Sequence, residues 1–345
     1  MSANEGYRLV SWGDPLRWET WELGPPAPGE VQIEVEACGV GRTVVNYVRG
    51  DNWNDASLLP RVPGHEVVGR IAAVGEGVAR EVGERVLAYF YLSCFSCRQC
   101  LAGREARCER IAGRYGVHRD GGYARRSNLP EGNAIAFGDD VEPAPATVIP
   151  DACATSIHVC RSRVQLEPGE RVVVVGAAGG VGAHMVQVAR TCGAEVLGLD
   201  RGAVKLELVE QLGARAEDST SFDDVDLAGW GGAADAVIDL VGTAASFRWA
   251  MSHVGQGGRV CVLSAVPGVA EPVAPRDLVM RESSIVGSHY ASRSEVRSAA
   301  RLVAAGDVQP VVTEVGPPDA LDDLLDAVRE GSLLGRAAIV WRDAA

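Results

Sequence analysis

A run of four valines followed by a glycine-rich turn constrains the fold of this chain more than any other segment. The segment reads Arg171-Val-Val-Val-Val-Gly-Ala-Ala-Gly-Gly-Val-Gly182, and residues 183–190 continue at helical spacing. A continuous β-branched run is typical of a strand that is buried on both faces, so the pattern predicts a strand, a tight loop and a helix. Glycines let the loop backbone approach a ligand, and a helix N-terminus attracts anions. We therefore expect a pyrophosphate site at Gly176, Gly179, Gly180, Val181 and Gly182.

A second strand indicates that the ligand is a dinucleotide. Residues 194–200 have the composition of a buried strand and end in an acid, Asp200. At this distance from the glycine loop, a carboxylate can accept hydrogen bonds from both ribose hydroxyls of an adenine nucleotide. Asp200 favours NAD over NADP because a 2′-phosphate would meet a like charge, although the neighbouring Arg201 softens that preference.

Strands and helices alternate through residues 152–290, which predicts a doubly wound parallel sheet and an α/β fold. Before and after this region the pattern changes to alternating, half-buried strands, with helices at 295–305 and 320–330. The last strand, 337–341, is expected to rejoin the N-terminal domain. The further strands expected in the parallel sheet are 234–242, 257–264 and, at its edge, 284–290.

Composition argues against several classes of partner. The chain has 345 residues, enough for two domains, and a net charge of −13, which disfavours nucleic acid and anionic membranes. It has no apolar run long enough to span a bilayer, and its first residues lack the features of a secretory signal. Nine cysteines in such a chain indicate a reducing compartment, so we expect a cytoplasmic protein whose cysteines are thiols or metal ligands.

Four cysteines lie close together in a polar lobe at about residues 92–110. Their spacing is C-x2-C-x2-C-x7-C, and the segment offers little core in which unrelated thiols could be buried. Four thiolates can close a tetrahedral shell around one Zn²⁺ with no position left for water. An iron–sulfur cluster is the alternative. The spacing predicts a structural zinc held by Cys94, Cys97, Cys100 and Cys108.

Together these features resemble the medium-chain dehydrogenase/reductase superfamily, in its zinc alcohol dehydrogenase-like branch. The motifs are the segment ending at Val40, Gly64-His-Glu66, the cysteine lobe, the glycine loop and residues 334–340, so the resemblance covers essentially the whole chain. It implies a GroES-like β-rich catalytic domain over 1–151 and 291–345, and a Rossmann domain over 152–290. It also implies an NAD(P)-dependent enzyme acting on a small-molecule substrate, assembled as a homodimer or homotetramer.

The resemblance implies a catalytic zinc as well, but the ligand pattern is broken. The family's first ligand, a cysteine, falls on Gly41, and the acid that supports the site falls on Val44. The histidine ligand is present as His65, with Glu66 beside it, and the third position falls on Asp151. Losing a thiolate and its supporting acid weakens a zinc site, so we expect the catalytic zinc to be absent.

Two alternatives would retain a metal. Cys38 or Cys153 would have to replace the missing thiolate, although cysteine is often simply a buried residue. Alternatively, His65, Asp151 and Glu66 would bind zinc as a variant ligand set.

By resemblance, Thr43 matches the relay hydroxyl beside the nicotinamide, and Arg42 and Arg336 match pyrophosphate contacts. His65 and Asp151, freed from metal binding, are expected within hydrogen-bonding reach as an acid–base pair with Glu66 beside them; the alternative is a vestigial ion pair. Ser264, the last residue of a predicted strand, is assigned to the cofactor site. Four aromatic residues are candidates for either the substrate pocket or the core: Tyr47, Trp53, Tyr89 and Tyr91.

The leading hypothesis for function is therefore a zinc-independent oxidoreductase. Without a Lewis acid, alcohol–carbonyl interconversion loses its electrophile, whereas hydride delivery to a conjugated enone, enal or iminium does not need one. The alternatives are a zinc alcohol or polyol dehydrogenase with the variant ligand set, and a cofactor-binding protein that has lost catalysis and serves as a regulatory or scaffolding subunit.

Overall fold

The structure is a computed structural model of the chain. It describes residues 2–51, 54–264 and 266–341. Trp53, a candidate for the substrate pocket, lies outside these ranges. Within them, no helix is both long enough and apolar enough to cross a membrane.

The chain folds into two compact units. The first unit comprises Met1–Asp151, Ala291–Ala304 and Pro310–Ala345, and the second comprises Ala152–Tyr290 and Ala305–Gln309. Residues 305–309, which the sequence division assigns to the catalytic domain, therefore group with the nucleotide-binding unit.

The regular elements are labelled in chain order. The strands are β1 (Ser2–Arg8), β2 (Arg17–Leu23), β3 (Glu30–Val40), β4 (Val67–Val74), β5 (Arg85–Ala88), β6 (Arg126–Pro130), β7 (Ala134–Ala136), β8 (Arg171–Val175), β9 (Glu195–Asp200), β10 (Arg215–Asp218), β11 (Ala234–Asp239), β12 (Val254–Val262), β13 (Ser284–Gly287), β14 (Val312–Gly316) and β15 (Arg336–Val340). The helices are α1 (Arg42–Arg49), α2 (Arg98–Leu101), α3 (Pro143–Ala146), α4 (Ala154–Ile157), α5 (Gly182–Thr191), α6 (Ala203–Gln211), α7 (Ala244–His253), α8 (Pro275–Arg281), α9 (Arg293–Ala304) and α10 (Leu321–Glu330).

The first unit is built around β3. Its sheet has the strand order β14-β15-β3-β4-β5-β7, β6 also pairs with β3, and β1 and β2 form a separate antiparallel pair. Alternate residues of a strand face the same side of a sheet, and Val31, Ile33 and Val35 of β3 are almost completely buried. Their burial anchors the strand whose end leads into the candidate site.

The C-terminal strand returns to the N-terminal sheet, as predicted. β15 pairs antiparallel with β3, and Ala337 lies opposite Val40. This register brings Arg336, the first residue of β15, beside the end of β3 at Gly41. Two segments from opposite ends of the chain therefore meet at one place.

The second unit contains the predicted parallel sheet. Its strand order is β10-β9-β8-β11-β12-β13, with β13 at the edge as expected. The four valines of β8 are fully buried because strands flank β8 on both sides and helices cover such sheets. The order changes direction beside β8, which is where doubly wound sheets bind their ligands, outside the carboxyl ends of the strands.

Several strand boundaries differ from the sequence expectation: β11 ends at Asp239 rather than at residue 242, and β12 ends at Val262 rather than at residue 264. β12 begins at Val254 rather than at residue 257, and β13 ends at Gly287 rather than at 290. The first residue of β12 and the last residue of β13 are also the first and last residues that pair with a neighbouring strand, and residue type alone does not reveal where pairing begins or ends.

Candidate functional site

The four cysteines of the lobe converge. Cys97 Sγ lies 3.5 Å from Cys100 Sγ and 3.9 Å from Cys108 Sγ, and Cys94 Sγ lies 3.9 Å from Cys100 Sγ. A tetrahedral Zn²⁺ with Zn–S bonds of about 2.3 Å requires sulfurs about 3.8 Å apart. A backbone N–H of Ser96 is the main cause that lowers the pKa of Cys94 to about 5, which favours the thiolate. The cluster therefore fits a structural zinc.

The glycine loop has the close backbone approach that a pyrophosphate site requires. Gly176 has φ of +83°, a conformation that favours glycine, and a side chain at Gly182 would overlap the carbonyl oxygen of Gly176. The His184 ring, on the first turn of α5, lies with Nδ1 2.9 Å from the Gly180 carbonyl oxygen. The loop thus ends at the N-terminus of α5, whose dipole favours a bound anion.

Asp200 closes the nucleotide site at the end of β9. Its carboxylate accepts hydrogen bonds from the N–H groups of Ala178 (2.8 Å) and Arg201 (2.9 Å). Lys205 Nζ lies 3.8 Å from the same carboxylate, a neighbour that the sequence analysis missed although it occupies the first turn of the helix after Asp200. Ser264 is exposed just after β12. These residues fit a dinucleotide.

His65, Glu66 and Asp151 come together in the first unit. His65 and Glu66 immediately precede β4, and Asp151 lies in a π-helical turn, Ile149–Cys153. Gly64, directly before His65, has φ of +92°, and a Cβ there would lie 2.8 Å from Cys38 Sγ, so both the backbone and the available space favour glycine at this position. His65 Nε2 is 3.9 Å from Glu66 Oε1 and 4.0 Å from Asp151 Oδ2.

The expected hydrogen bond between His65 and Asp151 is not present, because Arg336 takes its place. Arg336 Nη2 donates to Asp151 Oδ2 at 2.7 Å and lies 3.1 Å from Glu66 Oε1. A Cβ on Gly41 would overlap Arg336 Nη1 and would lie 2.8 Å from Glu66 Oε1. The guanidinium therefore uses the space that a side chain at position 41 would occupy. The described contacts of Arg336 include these two carboxylates, and the predicted pyrophosphate contact of Arg336 stays a prediction.

Burial sets the electrostatics of the cluster. Burial lowers the pKa of His65 to about 4, opposed by Asp151 and reinforced by Arg336. Burial raises the pKa of Glu66 to about 8, against the effect of Arg336 and in the same direction as that of Asp151. His65 is therefore neutral near neutral pH, and Glu66 can hold a proton there.

The donor set does not fit a catalytic zinc as it is arranged. One ligand atom from each of His65, Glu66 and Asp151 lies within 4.8 Å of the others, a separation that a metal could bridge. However, both carboxylates already contact the Arg336 guanidinium, and position 41 offers no ligand atom. A divalent ion would have to displace a buried, ion-paired cation.

Neither candidate thiol replaces the missing ligand. Cys38 Sγ packs against Gly64 and Gly122, within 3.0 Å of where a Cβ would lie on either glycine. Cys153 is 1% exposed, and the described metal-binding clusters include neither thiol. Val44, at the supporting acid's position, is buried in α1. The alternative of rescue by Cys38 or Cys153 is therefore not supported.

The remaining predicted site residues lie close by in the sequence. Thr43 is half-buried in the first turn of α1. Arg42 is exposed, and its Nη1 donates to the Arg329 carbonyl at 3.2 Å, near the end of α10. Phe90 was missed by the sequence analysis, and its ring lies 4.6 Å from the His65 ring. Tyr47, Tyr89 and Tyr91 are at most 1% exposed, as core residues are.

A doubly wound sheet with a dinucleotide loop, linked to a β-rich unit with a four-cysteine lobe, defines a two-domain NAD(P)-dependent oxidoreductase. Two family models match the chain: "Alcohol dehydrogenase GroES-like domain" over residues 27–139 and "Zinc-binding dehydrogenase" over residues 180–305. An alcohol dehydrogenase of Geobacillus stearothermophilus is 34% identical, with 94% of this chain and 96% of the relative covered. The chain belongs to the zinc alcohol dehydrogenase-like branch of the medium-chain dehydrogenase/reductase superfamily.

Other relatives show how broad this similarity is. An acryloyl-coenzyme A reductase of Metallosphaera sedula is 28% identical, with 97% of this chain and 96% of the relative covered. The structure of a cobalt- and zinc-bound thermostable alcohol dehydrogenase from Pyrobaculum aerophilum matches with a TM-score of 0.89 and 29% identity, covering 99% of this chain and 100% of the other. Membership of the family therefore does not identify the reaction. The reaction has to be inferred from the group of His65, Glu66, Asp151 and Arg336 beside Gly41, which is called the pocket at Gly41 below.

Proposed function

We propose that this protein is an NAD(P)-dependent reductase of an activated C=C bond that works without a catalytic zinc. The observation that carries the proposal is the pocket at Gly41, where a guanidinium stands in contact with the two carboxylates a zinc would need. A conjugated enone, enal, iminium or acyl thioester is already polarised, so hydride addition at its β carbon does not require a metal. The similarity to acryloyl-coenzyme A reductases supports this class of substrate.

The chemistry divides between the cofactor and the pocket. NAD(P)H, when bound, supplies the hydride for the β carbon. The electron pair of the C=C bond then moves toward the carbonyl oxygen, and one proton must reach the α carbon or that oxygen. Glu66 is a candidate source of this proton, because burial raises its pKa to about 8. We assign the relay of the proton to Thr43 and His65, because Asp151 is held by the Arg336 guanidinium.

Isotope transfer separates this proposal from alcohol dehydrogenase chemistry. Purified protein would be given a conjugated enone and a nicotinamide deuterated at C4, with a saturated ketone of the same carbon skeleton as control. Deuterium at the β carbon of the enone product is expected, with little turnover of the saturated ketone. Deuterium at the carbonyl carbon would instead indicate carbonyl reduction and refute the proposal.

A matched pair of variants tests the hydroxyl. Thr43→Val removes the hydroxyl, whereas Thr43→Ser keeps it. We expect the valine variant to lose turnover by about 10²-fold with nearly unchanged NAD(P) affinity, and the serine variant to stay close to the parent. Equal turnover in all three proteins would remove Thr43 from the mechanism.

A variant zinc alcohol or polyol dehydrogenase remains the second candidate, because His65, Glu66 and Asp151 each place a ligand atom within 4.8 Å of the others. Metal analysis separates the two: the leading proposal expects about one zinc per chain and the alternative about two. Substantial turnover of either substrate class would rule out a catalytically inactive regulatory subunit. We place the activity in a reducing compartment such as the cytoplasm, because nine cysteines, four of them clustered as metal ligands, are typical of a protein from such a compartment.

A further inference from the structure

Two glycines, Gly39 in β3 and Gly41 directly after it, are not needed for the conformation of the backbone. Gly41 has φ of −134° and ψ of 169°, an extended conformation open to any residue, and Gly39 does not have a positive φ either. A Cβ on Gly39 would overlap Glu66 Oε2, and a Cβ on Gly41 would overlap Arg336 Nη1. Space rather than conformation therefore explains the glycines: each missing side chain makes room for a charged group.

The charges of this pocket are arranged around one cation. Glu66 is 1% exposed and Arg336 is 7% exposed, so neither charge is well solvated. A single guanidinium nitrogen, Nη2, contacts oxygens of both Glu66 and Asp151. A buried carboxylate without a partner is costly, and the guanidinium supplies the partner that a metal would otherwise be.

We infer that Arg336 is a built-in counter-cation: its guanidinium takes the place of a divalent metal between Glu66 and Asp151, and Gly41 is the opening that admits it. Arg336 is thus a positioning residue, which fixes the two carboxyl groups and excludes a metal ion. The inference concerns charge balance and metal exclusion, so it does not depend on which substrate the enzyme reduces.

Zinc stoichiometry provides the first test. The parent, Gly41→Cys, Arg336→Met and the double variant would be purified with excess zinc, dialysed, and analysed by mass spectrometry of the metal. We expect about one zinc per chain in the parent and in Gly41→Cys, because the flexible guanidinium shifts away from the new side chain but keeps its ion pairs with the two carboxylates. The double variant has a thiol and no guanidinium, and we expect it to hold about two. Visible absorption after cobalt substitution would identify the new site, because its mixed thiolate, imidazole and carboxylate ligands differ from the four thiolates of the lobe.

Three outcomes would overturn the inference. A second zinc in the parent would show that the arginine does not exclude the metal. A second zinc in Gly41→Cys alone would show that the thiol suffices while the guanidinium is present. A double variant that is folded, as judged by NAD(P) binding and circular dichroism, yet holds only one zinc would show that the guanidinium was not standing in a metal position.

Thermal unfolding provides a second test that does not depend on the double variant. Arg336→Met should lower the unfolding midpoint by about 5 °C, because it leaves the buried Glu66 and the partly buried Asp151 without their cation. Adding Glu66→Gln to Arg336→Met should recover part of this loss, whereas Glu66→Gln combined with Arg336→Lys should not be more stable than Arg336→Lys alone. If Glu66→Gln gives no recovery in the Arg336→Met background, the counter-cation role is wrong.

The two proposals fail separately. One zinc in the parent together with no reduction of any conjugated substrate would refute the proposed function and leave the counter-cation intact. Reduction of the C=C bond by a parent protein that holds two zincs would refute the counter-cation and the zinc-free part of the proposed function, and would leave the substrate class intact.

Discussion

The first unit contains two clusters of metal-ligand residues that differ in where their positive charge comes from. In the cysteine lobe, three pairs among the four sulfurs lie 3.5–3.9 Å apart, and an exposed arginine stands beside them, with Arg110 Nη2 3.6 Å from Cys94 Sγ. In the pocket at Gly41, two carboxylates share the nearly buried guanidinium of Arg336. The lobe needs an external cation, whereas the pocket already contains one.

The difference shows that ligand count alone does not define a metal site. Both clusters offer at least three donor atoms at short separations. Thiolates in the lobe accept backbone hydrogen bonds, such as the one from Cys97 N–H to Cys94 Sγ at 3.3 Å, and the described cation beside them, Arg110, is exposed. In the pocket, a side chain from a distant strand neutralises the acids, so binding a divalent ion would require expelling it.

The largest effect should come from breaking the lobe. Cys100→Ser removes one thiolate, and we expect bound zinc to fall from about one per chain to almost none, with the free energy of unfolding reduced on the order of 4 kcal/mol. Cys192→Ser, a partly exposed cysteine outside the lobe, is the control and should keep the metal. Metal analysis and denaturant unfolding measure both; full zinc content in Cys100→Ser would show that the four sulfurs do not form the site.

Removing the imidazole from the pocket should cost activity rather than metal. We expect His65→Ala to lower turnover by about 10²-fold while zinc content stays at the parent value, because the proposed function requires no zinc in this pocket. His253→Ala, in α7 of the second unit, serves as a control and should be close to the parent. A loss of no more than about twofold would reduce His65 to a packing role, and a loss of zinc would contradict the contrast between the two clusters.

The pocket at Gly41 should also affect how the free energy of unfolding depends on pH. The folded pKa of Glu66, about 8, is above its ordinary value of 4.5, so this carboxyl contributes stability at low pH that is lost as pH rises through about 8. Glu66→Gln lacks this loss. Its free energy of unfolding relative to that of the parent should therefore rise by at most about 1.4 kcal/mol per pH unit between the ordinary pKa of 4.5 and the folded pKa of about 8. The pKa of His65 is lowered to about 4, so His65 changes the free energy of unfolding at the acid end of the pH range. This contribution is present in both proteins and cancels when they are compared.

Denaturant midpoints measured from pH 5 to 9 would test this. A constant difference between the two proteins over this range would mean that Glu66 does not carry a raised pKa. Glu22→Gln, at an exposed position in β2, is a suitable control for the change of charge alone.

The smallest effect should come from adding a single methyl group at Gly41, beside the Arg336 guanidinium. Gly41→Ala is expected to destabilise by about 1 kcal/mol, because Arg336 must move yet is the flexible end of a side chain. Gly24→Ala, where a Cβ would meet nothing within 4 Å, should change stability by less than about 0.5 kcal/mol. Identical unfolding free energies for the two variants would show that Arg336 gives way without cost.

Local sequence patterns were sufficient to predict much of the fold and of the two ligand sites. The valine run of β8, the glycine loop and Asp200 lie within one strand–helix–strand segment, and the sheet order placed β13 at the edge and β15 beside β3 as expected. The four cysteines are close in sequence, so spacing alone brings them within reach of one ion. Resemblance to the family extended this to the β-rich domain, where short strands have weaker signals of their own.

What the sequence could determine by itself was the absence of a side chain at Gly41, and hence of one metal ligand, because that is a property of one residue. It could not determine what fills the space. Arg336 reaches Glu66 and Asp151 only because β15 pairs with β3 in a register that sets the two ends of the chain side by side. Ion pairs between segments so far apart depend on strand register and burial, which are settled by the packing of the whole sheet and not by any local pattern.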